Sequence, residues 1–419
     1  MTAMTAMLDR LHAYADQRRC RKIPRLFVDV SVIARNDAGT GIQRVVRALW
    51  AELSQINPRC FEVIPIAGSA RRRYRRILPD FLQRPLKRLP LPIGGGAIRP
   101  RRGDVFLGID LSTHIIPRNS AQVQGWRSTG TRVVVIVYDL LPIRHPEWFN
   151  EVSAAHFRAW ARELASGSDA LVCISATVAD DVRAWLKEQD NSGATARPSI
   201  SAIKLGSTTA THSPTAGLPA DWEPTIAWTK AGHSILMVGT IEPRKGHDQA
   251  LAAFEKLWSD WPDGEWQLLI VGRPGWKTQE LQEQLLNHPA YGTRLRWIAN
   301  ASDEYVEQLY AACSGVLMAS RGEGLGLPLL EAAQHRKGIL ARDIPVFREV
   351  APSGVIFFDG DTAEDMATAL YACRSPDWTS HLDISQVSWR ETAQQLIQFA
   401  TQLPSETLEG LWLSKPSQR

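Results

Sequence analysis

The stretch from Gly315 to Ala333 constrains this 419-residue chain more than any other. Gly315-Val-Leu-Met-Ala319 is a short apolar run and reads as a buried strand. Gly322, Gly324 and Gly326 follow, permitting a tight turn and a close approach of backbone to a ligand. Pro328 then fits the first turn of a helix, where a missing N–H is no loss. Strand, glycine loop and helix in this order form a parallel α/β unit. The backbone N–H groups of Gly324, Leu325 and Gly326 at such a helix start make an anion site, for which a diphosphate is the usual guest.

Glu323 and Glu331 punctuate the stretch, with seven residues between them. The spacing places Glu323 in the turn and Glu331 in the first helical turn, both facing one cleft. A loop that welcomes phosphate and carries two acids suits a phosphate attached to hydroxyl-rich groups. The amides take the diphosphate, and the acids accept from sugar hydroxyls. The structural alternative is a solvated Glu323 and a Glu331 that only stabilises the helix start.

The same pattern recurs along the chain. Arg25–Val32 reads as a first parallel strand, followed by a Gly39-Thr-Gly41 loop and an amphipathic helix carrying Ile42, Val45, Val46, Leu49 and Leu53 at helical spacing. Further strands are expected at 103–110, 131–139 and 170–175, with Ser175 as a helix N-cap, and 203–207 closes the first domain. Residues just past the carboxyl end of a parallel strand line the ligand crevice of an open α/β sheet. After the 131–139 strand these include Tyr138, Asp139, Arg144 and His145. A second series of strands begins at His233, and Arg244 and Lys245 lie in the loop behind it, placed to neutralise a leaving diphosphate. Strands at 266–272, 294–298, 315–319, 338–343 and 355–359 continue the alternation.

The fold class that follows is α/β, with doubly wound parallel sheets. The length exceeds one ordinary core, so two domains are expected. Their limits are a leader at 1–24, a first domain at 25–207, a linker at 208–232, a second domain at 233–385, a helix within 386–405 and a tail at 406–419. The linker is placed where Thr, Pro, Ala and Gly accumulate without periodicity. Asp359-Gly-Asp361 has the spacing of a metal-binding acid pair but reads as a turn.

Charge is uneven. The formal net charge is only +4, yet Arg71–Arg102 contains a single acid, Asp80, among many arginines interleaved with Tyr74, Ile77, Leu78, Phe81, Leu82, Leu86, Leu89 and Leu91. Such a segment suits an anionic membrane surface. A solvated loop is the alternative. Nucleic acid is not expected as a partner, since no recognised motif accompanies the charge. Cys20, Cys60, Cys173, Cys313 and Cys373 are scattered without a paired spacing, pointing to reduced thiols in a cytoplasmic protein. The N-terminal stretch lacks the layout of a signal peptide, and no apolar run approaches the ~20 residues of a spanning helix.

Taken together, Glu323 to Glu331 and their surroundings resemble the Glu-x7-Glu signature of retaining glycosyltransferases of family 4, which have the GT-B fold. The likeness is loose over 25–206 and tight over 233–399. Gly39 and Gly41 look like the family's first glycine loop opposite the donor phosphates. Val238–Gly246 is similar to the element whose basic residues hold the donor diphosphate, with Thr240 in place of a common arginine, so Arg244 is expected to carry more of that load. Asn300–Tyr310 looks like the loop beside the nucleotide base and its helix. Val387–Phe399 resembles the helix that crosses back to the first domain. Asp139–Phe149 is similar to an element of bacterial mannosyltransferases, with Tyr138 where that pattern has histidine.

The resemblance implies two Rossmann-like domains facing a cleft and a metal-independent, retaining hexosyltransferase. Glu323, Lys245 and Arg244 would be catalytic. Gly39, Gly41, Arg244, Lys245, Gly324, Leu325, Gly326 and Glu331 would bind the donor, with Glu331 on the ribose. Tyr138, Asp139 and Arg144 would contact the acceptor. The nucleotide sugar, GDP-mannose by expectation, is a substrate, so no cofactor is implied. The acceptor is a saccharide or lipid-linked saccharide of bacterial surface-polysaccharide synthesis, met at the inner face of the cytoplasmic membrane. A non-catalytic nucleotide- or glycan-binding scaffold of the same fold is the rival reading. A dinucleotide oxidoreductase is set aside, because the first strand lacks the required glycine fingerprint and following acid.

Overall fold

The computed structural model describes residues 23–83, 97–189, 197–206, 217–375, 378–379, 387–402 and 411–412. They build two sheets. In the first, β1 (Arg25–Asp29) pairs in parallel with β2 (Glu62–Ala67) and β4 (Val105–Gly108). The sheet continues through β5 (Arg132–Val137), β6 (Ala170–Cys173) and β7 (Ser199–Ala202), while β3 (Arg75–Arg76) adds a short antiparallel edge to β2. The order is β3-β2-β1-β4-β5-β6-β7. Helices cover the faces, so Val133, Val134, Val135 and Ile136 are all buried, as a continuous apolar run in a parallel sheet requires.

The second sheet is parallel throughout. It contains β8 (His233–Val238), β9 (Trp266–Val271), β10 (Leu295–Ile298), β11 (Gly315–Met318), β12 (Gly338–Arg342) and β13 (Ile356–Phe358), in the order β10-β9-β8-β11-β12-β13. In each sheet the order reverses at its first-laid central strand, β1 or β8. Ligands of open α/β sheets lie at the carboxyl ends of such strands. The Gly39–Gly41 loop follows β1, and Arg244–Lys245 follows β8.

Several expectations change. The span 208–232 is not all linker: Trp222–Ala231 is a helix that buries Ile226 and Thr229 and packs beside β8. Trp222, Ile226 and Thr229 fall on one helical face, a periodicity hidden by the surrounding Thr, Pro and Gly; 207–216 lie outside the described residues. Just before 203–207, β7 adds a strand that was not expected. β2 was not expected, because Pro65 interrupts it. Within the basic segment, Tyr74, Ile77 and Phe81 do not face a membrane but are buried in the first-domain core. Residues 84–96 lie outside the described residues. Asp359-Gly-Asp361 is a turn with Gly360 at φ +104°, and Asp361 pairs with Arg342 at 3.1 Å.

The helix Trp389–Thr401 packs on the first domain. Ala393, Leu396 and Ile397 enter its core, Arg390 pairs with Glu52 at 3.2 Å, and the Thr392 hydroxyl donates to the Lys204 carbonyl. Among the described residues, no helix is long and apolar enough to cross a membrane.

A buried acid pair braces the loop after β1. The Asp110 carboxylate accepts the N–H groups of Val32 and Ile33 at 2.7 and 2.8 Å and of Leu111 at 2.9 Å. Burial, then the neighbouring Asp29, pushes its carboxyl up to about 7. Asp29 accepts from Ser31 and, at 2.9 Å, from the Tyr74 hydroxyl. An acid that keeps its proton in the folded chain but loses it near pH ~3.9 when unfolded makes stability fall as pH rises from ~4 to ~7. Thermal melts at pH 5 and 7.5 should therefore show a larger drop in wild type than in Asp110→Asn. Equal drops would assign the titration elsewhere.

Candidate active site

The loop after β11 and the turn after β8 converge. Glu323 is almost fully buried; its Oε2 accepts from Arg244 Nη1 at 2.7 Å, and its Oε1 from Lys245 Nζ at 2.5 Å and the Ser320 hydroxyl at 2.7 Å. Arg244 also donates to the Gly322 carbonyl and pairs with Glu242, each at 2.7 Å. Burial alone would raise the Glu323 carboxyl, but Arg244 and Lys245 outweigh it and hold it at about 2. The Arg244 guanidinium is likewise driven above its usual range: burial disfavours its charge, and Glu323 and Glu242 more than compensate. Next in the chain, His247 is buried beside Lys245, burial lowers it to about 3, and its Nδ1 has no hydrogen-bond partner.

The glycines serve the apposition of the two domains. A Cβ on Gly324 would lie 2.1 Å from the Tyr138 carbonyl oxygen, so only glycine permits this contact. Gly326 sits at φ +95° as the N-cap of the helix Leu327–Gln334. The close approach expected toward a ligand is therefore, at Gly324, an approach to first-domain backbone. The Ser175 hydroxyl donates to the Gly324 carbonyl at 2.8 Å, and Leu325 packs against the first-domain core. The amides of Gly324, Leu325 and Gly326 donate to no protein acceptor among the described residues.

Glu331 falls at the start of the second helical turn, not in the first. Its Oε1 pairs with Arg44 of the first domain at 2.7 Å, and its Oε2 accepts from the Tyr310 hydroxyl at 2.9 Å. Attraction to Glu331 raises Arg44 despite burial. Arg44 stands on the helix Gly41–Leu53, whose start is set by a Thr40–Gln43 capping box and by Gly39 at φ +63°. Gly39 and Gly41 thus present a helix start to the second domain, with Arg273 and Leu327 the side chains nearest their Cβ positions.

The three acceptor candidates separate. Tyr138 is buried, and its hydroxyl donates to the Ile109 carbonyl at 2.6 Å, so it is a core residue and not a cleft contact. Arg144 is occupied by Glu188 at 2.7 Å, tying two first-domain helices together rather than facing an acceptor. Asp139 alone joins the site. Burial raises its carboxyl, Arg244 opposes the shift, and Glu323 and Glu242 add to it, so it faces the cluster across the domain boundary. His145 stacks on Trp148 at 4.0 Å, as part of the loop.

Other cross-domain contacts were missed from sequence. Glu349 accepts the N–H groups of Ala176 and Thr177, both at 2.7 Å, at the start of a first-domain helix. Trp276 donates to the Trp148 carbonyl at 2.8 Å, and Lys277 to that of Glu147 at 2.7 Å. Arg44 carried the one usable signal, three residues after Gly41 in a first helical turn.

Two sheets joined through glycine loops and a buried Arg–Lys–Glu cluster define a class. Residues 222–373 match the family described as glycosyl transferases group 1. Sucrose-phosphate synthase from Thermosynechococcus elongatus aligns with a TM-score of 0.59 over 93% of this chain and 95% of its own, at 15% identity. Anabaena HepE, solved with UDP and glucose, gives 0.54 over 93% and 100%, at 14% identity. At these identities the likeness is one of fold. The chain has the GT-B fold, and its residues 222–373 are similar to the group 1 glycosyltransferases. It is similar to the serotype-specific mannosyltransferase WbdA of Escherichia coli, 36% identical over 393 residues that make up 90% of this chain and 45% of WbdA. The chain thus spans about half the length of the curated relatives it matches.

Proposed function

We propose that this protein transfers a hexose, mannose first among the candidates, from a nucleotide sugar to a saccharide or lipid-linked saccharide in bacterial surface-polysaccharide synthesis. Transfer would retain anomeric configuration and need no metal. The observation that carries the reading is Lys245 beside an ionised Glu323, with three free amides at Gly324–Gly326. The likeness to WbdA supports the choice of mannose.

In this mechanism the bond from the anomeric carbon to the diphosphate breaks, and negative charge gathers on the leaving group. Lys245 and the loop amides stabilise it in a site shielded from water. Lys245 is better placed than Arg244: Arg244 already serves Gly322, Glu323 and Glu242, whereas the only acceptor on Lys245 among the described residues is Glu323. On this reading Lys245, rather than Arg244, meets most of the leaving-group charge. Glu323 stays ionised at neutral pH and favours positive charge on the sugar. The departing phosphate oxygen takes the acceptor hydroxyl proton on the same face. Glu331 would accept from the ribose, drawing on a carboxylate now shared between Arg44 and Tyr310.

The test is donor turnover. Purified protein is mixed with GDP-, UDP-, dTDP- and ADP-sugars in the presence of chelator, and free nucleoside diphosphate is followed. Release from one donor names the sugar; binding without turnover, even with saccharide acceptors supplied, favours the scaffold reading. Peripheral attachment to an anionic membrane belongs to the same proposal. Replacing Arg84, Lys87 and Arg88 by glutamine should then lower co-sedimentation with phosphatidylglycerol vesicles several-fold, and unchanged co-sedimentation would reject it.

A further inference from the structure

Four largely exposed basic side chains stand on neighbouring elements at the carboxyl end of the first sheet. Arg35 comes from the loop after β1, Arg72 from that after β2, His114 from that after β4, and His156 from the helix Glu151–Gly167. β1 lies between β2 and β4, so the three loops are neighbours. The His114 and His156 rings are 6.3 Å apart. Buried Asn119 stitches two of the loops together, donating to the Ser69 carbonyl at 3.0 Å and to that of Ile115 at 2.9 Å. The Ser69 hydroxyl in turn accepts the Arg72 N–H at 2.9 Å. The frame is therefore set before any ligand arrives.

Within that frame the charges repel. Partial burial lowers Arg35, and Arg72 lowers it further; burial, then His156 and Arg35, lowers His114. Among the described residues, none of the four side chains has a hydrogen-bond or ion-pair partner. Gathered like charges repel one another, and an anion bound among them relieves that repulsion. Two guanidinium forks match phosphate oxygens, and protonated imidazoles add donors.

We propose that Arg35, Arg72, His114 and His156 form a phosphate-binding site on the first domain that takes a phosphate or diphosphate group carried by the acceptor. The acceptor assignment rests on the transferase reading above; the phosphate site itself does not. It is distinct from Arg244 and Lys245, which follow β8 of the other sheet.

The experiment uses the full chain with 13C-labelled histidine, titrated with inorganic pyrophosphate at constant ionic strength and followed by NMR. His114→Gln and His156→Gln assign the two resonances, and His247 reports separately on pyrophosphate near Lys245. Saturable shifts at His114 and His156 are expected, with affinity weakened at least tenfold in Arg35→Gln/Arg72→Gln. No shift, an equal response in that double variant, or an equal response to chloride would overturn the site without relying on any variant's fold alone. Shifts produced by phosphatidylglycerol vesicles that pyrophosphate does not reverse would assign the patch to a membrane and overturn the proposal. If the wild type bound pyrophosphate here but turned over no donor, the phosphate site would stand and the acceptor assignment would fall with the transferase reading.

Discussion

Glu323→Ala should lower the unfolding free energy by about 3–5 kcal/mol at pH 7 and, on the transferase reading, abolish donor turnover. The carboxylate is buried and accepts from Arg244, Lys245 and Ser320. Its removal takes from Lys245 its ion-pair partner among the described residues and leaves Arg244 paired with Glu242, with Asp139 nearby. The pH dependence has a definite sign. The folded carboxyl sits at about 2, below its value of ~4.3 in the unfolded chain. The stabilisation is thus complete above pH ~5 and is lost as pH falls toward ~2. Urea titrations of both proteins at pH 7 and pH 3 measure this directly, and the difference between them should narrow in acid. A variant as stable as wild type at pH 7 would show that Glu242 and Asp139 are enough to hold the two cations.

The second large effect separates catalysis from folding. Lys245→Met should reduce the rate of donor turnover on the order of 10²–10³-fold, the usual loss when one stabiliser of transition-state charge is removed. It should disturb stability less than Glu323→Ala does, because Glu323 keeps Arg244 and Ser320. Single-turnover release of nucleoside diphosphate at saturating donor gives the rate, and a melt gives the stability. A rate loss below tenfold would return the leaving-group role to Arg244, whose fork would then have to free itself from Gly322 or Glu242.

These effects depend on residues that sequence and structure revealed to different degrees. Strand, glycine loop and helix around Gly315–Ala333 are local patterns, set by spacing and backbone freedom, so they could be read directly, as could the run of strands from β8 to β13. Glu323, Arg244 and Lys245 were legible for the same reason, since each lies just past the end of an apolar strand.

Other positions take their meaning from partners far along the chain. Tyr138 follows an apolar strand just as a cleft residue would, yet its hydroxyl turns inward to Ile109. Arg144 goes to Glu188, Arg44 goes to Glu331, and Gly324 is required because the Tyr138 carbonyl stands against it. The amphipathic look of 71–83 came from core residues whose arginine neighbours face solvent. By itself the sequence determined two parallel sheets, their glycine loops and the charge that gathers behind β8. The tertiary structure decided which of those charges meet across the two domains, because burial and pairing depend on the distance between loops and not on their spacing along the chain.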